Sequence, residues 1–260
     1  MIHYKNHLQL IGYKESSIKN FIKVAQEYND FESKNFEVYY QYLKTRNHKQ
    51  NPIKTLSKNT LNFHLYGLKI YQNYLENQDL NHKENRNFTF LKEKKVLQKI
   101  EVLSIEEVQD LFKNSQSIRD RAVLSCLYHL GMRASEACNL QLEDVDFDTD
   151  LVFISDSKTG YQRQIPMSKT AKTNFENYLK IRKSKTDNPY FLLGIKGKLT
   201  PDGLAQIVKK TAQKSPINKR IYPHLLRHSI ATHLLIKWRS IKSPSFWGIN
   251  LWKVRKDTLI

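Results

Sequence analysis

The chain has 260 residues, enough for one large or two ordinary domains with real cores. Lys and Arg number 43 against 25 Asp and Glu, and the formal net charge of +18 is too large for an ordinary near-neutral enzyme of small metabolites. It suits a polyanion, most simply nucleic acid, or failing that an anionic membrane surface.

No apolar run approaches the length needed to cross a bilayer, and the N-terminus, Met1-Ile2-His3-Tyr4-Lys5-Asn6, has no apolar signal core. No membrane association is expected, and the location expected is cytoplasmic. Cys126 and Cys138 are the only two cysteines and form no C-x-x-C pair. They read as buried thiols in a reducing compartment. Eight glycines and seven prolines are few for this length, which favours helices over tight turns.

Residues 1–80 show helical periodicity and little strand signal. Leu8, Ile11, Ile18, Phe21, Ile22 and Ala25 supply an apolar face. Gly12-Tyr13 ends a first helix, and Ser16-Ser17 is expected to cap a second. A third helix spans Phe36 to Leu43, and Asn47 to Asn51 reads as a polar loop ending at Pro52. A fourth helix runs from about Leu56 to Leu75, packing through Leu65, Leu68, Ile70 and Tyr71. Lysines and asparagines fill the other faces. Residues 81–102 are polar and charged, with an apolar strip of Val96, Leu97, Ile100 and Val102, and read as an interdomain linker.

From 103 to 235 the pattern changes. Ser104 with Glu107 three residues on is a capping box. A helix from Arg119 through Leu130 is closed by Gly131, and Arg133 opens the next helix. An arginine there opposes the helix dipole, a conflict that a bound anion would remove. Glu136, three residues on, can pair with Arg133 and orient it. Asp144, Asp146, Asp148 and Asp150 alternate like a calcium loop, but Thr149 stands where that loop needs glycine and Ser155 where it needs the closing glutamate. A metal is therefore rejected, and no cofactor is expected. Leu151–Ile154, the turn Lys158-Thr159-Gly160 and Arg163–Met167 form a hairpin. A basic amphipathic helix covers about 169 to 183, and another is capped near Thr200. Tyr222-Pro223 then leads into His224-Leu225-Leu226-Arg227, where His224 and Arg227 share a helical face.

Five segments carry a family resemblance. "LYHLGMRASEACNLQLEDVDF" is similar to the first arginine box of the tyrosine recombinases, the phage integrases and Xer-type recombinases. "HLLRHSIATHLL" resembles their second box, "SKTGYQRQIPM" their lysine-bearing hairpin, and "GYKESSIKNF" with "LSKNTLNFHLYGLKIYQNYL" their core-binding domain. The resemblance implies a mainly α protein, with a helical, SAM-like core-binding domain at 1–80, a linker at 81–102, and an α+β catalytic domain with a small antiparallel sheet at 103–235. It implies that Arg133 and Arg227 clamp a scissile phosphodiester, that His224 assists, and that Lys158 protonates the departing 5′-oxygen. It also implies double-stranded DNA as partner, a homo-tetramer on two duplexes, no small-molecule substrate, and a setting such as a mobile element.

The family pattern then needs Leu-Gly-His and, nine residues after that histidine, the nucleophilic tyrosine. This sequence has no tyrosine after Tyr222 and no histidine after His233. Joining the third base of each codon to the next two explains the loss. Phe246/Trp247 must then encode Leu, Trp247/Gly248 Gly, and Trp252/Lys253 Glu. Gly248/Ile249 can encode His, and Asp257/Thr258 encodes Tyr or His. The missing motif reappears with its spacing, so a frameshift near Lys237 or Trp238 is expected, and 236–260 reads as an aberrant tail. As written, the chain is expected to be catalytically incomplete. One alternative is a non-catalytic DNA-binding remnant. A metal-dependent nuclease is disfavoured, because no convergent carboxylate cluster is visible.

Overall fold

The computed structural model describes residues 1–33, 35–48, 51–78, 90–91, 101–155, 162–182 and 187–241. The chain divides into two compact units, Met1–Leu97 and Gln98–Ile260.

The first unit holds α1 (Ile2–Leu10), α2 (Glu15–Asn29), α3 (Phe36–Thr45), β1 (Asn47–His48), β2 (Asn51–Thr55) and α4 (Lys58–Gln78). Gly12, at φ +84°, turns the chain out of α1. Its core gathers Leu8, Ile18, Phe21, Val24, Ala25, Leu61 and Leu68, with Tyr4 packed against the rings of Tyr71 and Tyr74 at 4.9 and 5.0 Å. The α2–α4 contact is close because Gly67 has no side chain: a Cβ there would lie 3.1 Å from Val24 Cγ1.

Two sequence expectations fail in this unit. Ser16-Ser17 does not cap α2. The cap is Lys14, whose extended backbone ends the Gly12 turn early enough for Glu15 to be helical already. Asn47 to Asn51 is not simply a loop, since β1 and β2 pair antiparallel, Asn47 with Thr55 and His48 with Asn51. Pro52 is tolerated because a two-stranded ribbon has an edge on either side.

The second unit holds α5 (Ile105–Lys113), α6 (Ile118–Leu127), α7 (Ala134–Asn139), β3 (Val145–Asp146), β4 (Leu151–Ile154), β5 (Arg163–Pro166), α8 (Lys169–Arg182), β6 (Leu193–Gly194), β7 (Gly197–Lys198), α9 (Pro201–Gln213) and α10 (Pro223–Ile241). Strands β3, β4 and β5 form one antiparallel sheet in that order, with Ile154 opposite Arg163 and Leu151 opposite Pro166. The architecture is thus mostly helical with small antiparallel sheets, as expected. The core runs from Leu103 through Val123, Leu127, Met132, Val152, Phe175, Phe191 and Val208 to Leu225 and Leu226. Cys126 and Cys138 are buried free thiols within it, and burial pushes both thiol pKa values up, that of Cys138 to about 11.

Ser104 and Glu107 make the capping box at α5, with Ser104 N–H donating to the Glu107 carboxylate at 2.7 Å. Thr200 caps α9 by accepting from Gly203 N–H. The helix expected to reach Leu130 stops at Leu127. Beyond it Leu130 N–H reaches back to Ser125 and Met132 N–H to Cys126, and Gly131 at φ +55° carries the reversal. The aspartates after α7 shape turns. Asp146 accepts from the backbone of Asp148 and Thr149, and Asp144 from that of Gln141. Asp150, at φ +56°, takes the ammonium of Lys172 at 2.7 Å.

Helix α10 is anchored by Leu225 and Leu226, both buried, and by Ser229, whose Oγ accepts from Leu103 N–H at 2.9 Å. Further along, His233 Nδ1 meets the Tyr128 hydroxyl at 2.9 Å. Leu234, Ile236 and Trp238 are then 58, 60 and 50% exposed. Lys158 and most of the aberrant tail, residues 242–260, lie outside the described residues. No helix among the described residues is long and apolar enough to cross a membrane.

Candidate active site

The chain reversal at Gly131 delivers Arg133 to the cap position of α7, and one turn on, Glu136 points back at it. The Glu136 side chain has no solvent exposure. Its Oε2 accepts from the backbone N–H of Arg133 at 2.8 Å, and its Oε1 from Arg133 Nη1 at 2.6 Å. The conflict between an arginine and a helix N-terminus is therefore answered inside the chain, by a carboxylate three residues on.

Two further arginines reach the same carboxylate from distant segments. Arg163, the first residue of β5, donates Nη2 to Oε2 at 2.7 Å and Nη1 to Oε1 at 3.2 Å. Arg227, on the second turn of α10, brings Nη1 to 3.7 Å from Oε2 and donates to the Gly131 carbonyl. The three arginine side chains keep 23 to 29% of their surface exposed although their guanidinium groups gather about a carboxylate with none.

The electrostatics follow from the packing. Burial alone would raise the Glu136 pKa. Hydrogen bonds from Arg163, from the Arg133 backbone and from the Arg133 side chain outweigh it and hold the pKa down at about 2. Burial lowers the Arg227 pKa, and the adjoining charge of Arg133 lowers it further, against a partial offset from Glu136.

Arg133, Glu136 and Arg227 are thus brought together. His224 stands on the first turn of α10, exposed, with its ring centroid 6.4 Å from that of His228, and no hydrogen bond or ion pair joins it to the Glu136 cluster. Arg163 was not among the site residues expected from sequence. Its local pattern is that of an ordinary strand residue, and the carboxylate it serves lies 27 positions away in sequence. Among the described residues there is no group of three His, Cys, Asp or Glu side chains arranged to hold a metal.

The profile of the phage integrase family matches residues 95–242. A tyrosine recombinase of Pseudothermotoga lettingae is 33% identical over 208 residues, covering 76% of this chain and 71% of the relative. Tyrosine recombinase XerA of Pyrococcus horikoshii is 39% identical over 137 residues, covering 51% of this chain and 47% of the relative. XerD of Listeria innocua is 36% identical over 153 residues, 55% of this chain and 51% of the relative. The matched stretch thus spans only about half the length of the Pyrococcus and Listeria relatives. Among solved structures, a lambda integrase tetramer bound to a Holliday junction aligns with TM-score 0.65 at 13% identity, over 88% of this chain and 70% of that one. The Tn1549 transposon integrase in complex with a circular intermediate DNA aligns with TM-score 0.64 at 18% identity, over 90 and 85%. At these identities the structural likeness speaks for the fold.

Proposed function

We infer the function from one premise: this chain belongs to the phage integrase family, the tyrosine recombinases. We propose that it binds duplex DNA for site-specific recombination, as a tetramer on two duplexes when assembled. Arg133 and Arg227 grip the non-bridging oxygens of one phosphodiester, where negative charge builds as a fifth oxygen approaches phosphorus. His224 donates to the same group or assists proton transfer. Lys158 gives its proton to the departing 5′-oxygen. In a frame-restored chain, attack by the regained tyrosine hydroxyl would form the O–P bond as the bond to the 5′-oxygen breaks, leaving a 3′-phosphotyrosyl intermediate.

The observation that carries this reading is the meeting of Arg133, Arg163 and Arg227 on one buried carboxylate. Three guanidinium charges against one carboxylate leave a surplus suited to a phosphodiester. The tail supports the second half of the reading. The family match ends at residue 242, shortly past the place where codon phase points to the frameshift. In the form written here, the chain clamps DNA without a tyrosine at the family position, and we propose that it forms no covalent intermediate.

The test begins with the coding DNA from Leu235 onward, where a shifted frame should restore Leu-Gly-His and the tyrosine. Duplexes selected by this chain from a random-sequence pool are then incubated with it and with the frame-corrected chain. Both should bind with a steep salt dependence. Only the corrected chain should leave a protein–DNA adduct on a denaturing gel, and R133A or R227A should abolish that adduct. Strand cleavage that survives either arginine variant would overturn the clamp, and magnesium-dependent cutting without an adduct would point to a nuclease.

A further inference from the structure

We propose that Arg163 is a positioning residue: by filling acceptor sites on Glu136, it keeps Arg227 available to the DNA phosphate. The inference rests on the phosphate-clamp reading above and adds a residue to it.

An ionised carboxylate offers two oxygens and about four lone-pair sites. Four donors occupy Glu136. Oε1 takes Arg133 Nη1 at 2.6 Å and Arg163 Nη1 at 3.2 Å. Oε2 takes the Arg133 backbone N–H at 2.8 Å and Arg163 Nη2 at 2.7 Å. Arg227 stands next in line, its Nη1 at 3.7 Å from Oε2, beyond hydrogen-bond length. It is a close electrostatic neighbour with no acceptor site left to take.

The competition has a definite winner because Arg163 is held by the sheet. It is the first residue of β5, paired across the ladder with Ile154, so its fork arrives at Glu136 from a fixed backbone. A guanidinium presents two parallel N–H groups to a carboxylate, which an ammonium cannot do. Without Arg163 two sites on Glu136 open beside Arg227. A shift of about an ångström would bring Arg227 Nη1 within hydrogen-bond distance of Oε2. That charge-assisted bond, shielded from water, would have to be broken before Arg227 could serve a phosphate. Arg163 therefore blocks an internal ion pair that would silence the clamp. Both its terminal nitrogens donate to Glu136.

The test is a double-mutant cycle on the full chain, read as affinity for a duplex selected by the wild type from a random-sequence pool. R227A should weaken binding on the order of ten-fold near ~0.15 M salt and lower the salt slope by about one phosphate contact. R163M should do nearly the same, and R227A in the R163M background should cost little more. R163K, whose ammonium cannot fill both sites on Glu136 with a fork, should keep most of that coupling. A role for Arg163 in folding alone would lower the thermal midpoint without producing that coupling.

Losses from R163M and R227A that simply add, in a folded protein, would overturn the proposal. If R227A leaves binding unchanged in the wild-type background, the clamp reading itself fails and Arg163 has nothing to protect.

Discussion

Glu136 is ionised where water does not reach it, so the acid limb of stability should report on it. Its folded pKa of about 2 lies below its ordinary 4.5. A depressed carboxylate lends stability that is fully present above about pH 4.5 and drains away as the pH falls toward 2. The contribution is of order 3 kcal/mol. Urea unfolding should therefore show wild type well above E136Q at pH 7, with the gap closing between about pH 4.5 and 2. His129 works in a higher window. Burial holds its pKa down at about 4, against an ordinary 6.5. The unfolded state binds the proton first, so stability should fall as the pH drops from 6.5 toward 4, and H129Q should flatten that part of the curve. At this scale the sequence was legible where partners are neighbours. Arg133 and Glu136 sit one helical turn apart, and so do His224 and Arg227, so spacing alone exposes them. Arg163 had no such mark, because the residue that gives it meaning belongs to another element.

Helix α10 depends on one hydroxyl more than its apolar pattern suggests. Ser229 accepts from the buried N–H of Leu103, and S229A would leave that donor without a partner, at a cost of about 1–3 kcal/mol measurable as a lower thermal midpoint. Gly131→Ala should cost about 1–2 kcal/mol, because its φ of +55° is disfavoured for any residue with a Cβ. The elements that sequence located well are those with a chemical signature at the end, such as the Ser104 box and the Thr200 cap. Those it misplaced had competing signals. Ser16-Ser17 looked like a cap, yet the turn after Gly12 had already started α2 at Glu15. The asparagines around Pro52 looked like loop, yet the ladder from Asn47 to Thr55 forms. The end of α6 depended on backbone bonds from Leu130 and Met132, which leave no trace in residue type.

Each of the two units has its own hydrophobic core, so calorimetry should resolve two transitions. G67A should move only the one belonging to Met1–Leu97. Its new Cβ would lie 3.1 Å from Val24 Cγ1, so Val24 has to give by a few tenths of an ångström, and that strain is set against a helix-propensity gain of about 1 kcal/mol for replacing a mid-helix glycine. S229A should move only the other. The +18 net charge adds a whole-chain expectation, that affinity for any duplex falls by orders of magnitude between roughly 50 and 200 mM salt.

The bond from Leu103 to Ser229 joins residues 126 positions apart, and Arg227 reaches back 96 positions to Gly131. Chains grow from the N-terminus at ~5–20 residues per second. For roughly 6–25 seconds after Leu103 is synthesised, its buried position therefore has no occupant for the acceptor side. The first unit can complete its core while the ribosome is still working on the second. The second must hold an open apolar face until α10 emerges, which makes the pace of translation over that stretch, and the chaperones that attend it, part of how this site comes to exist.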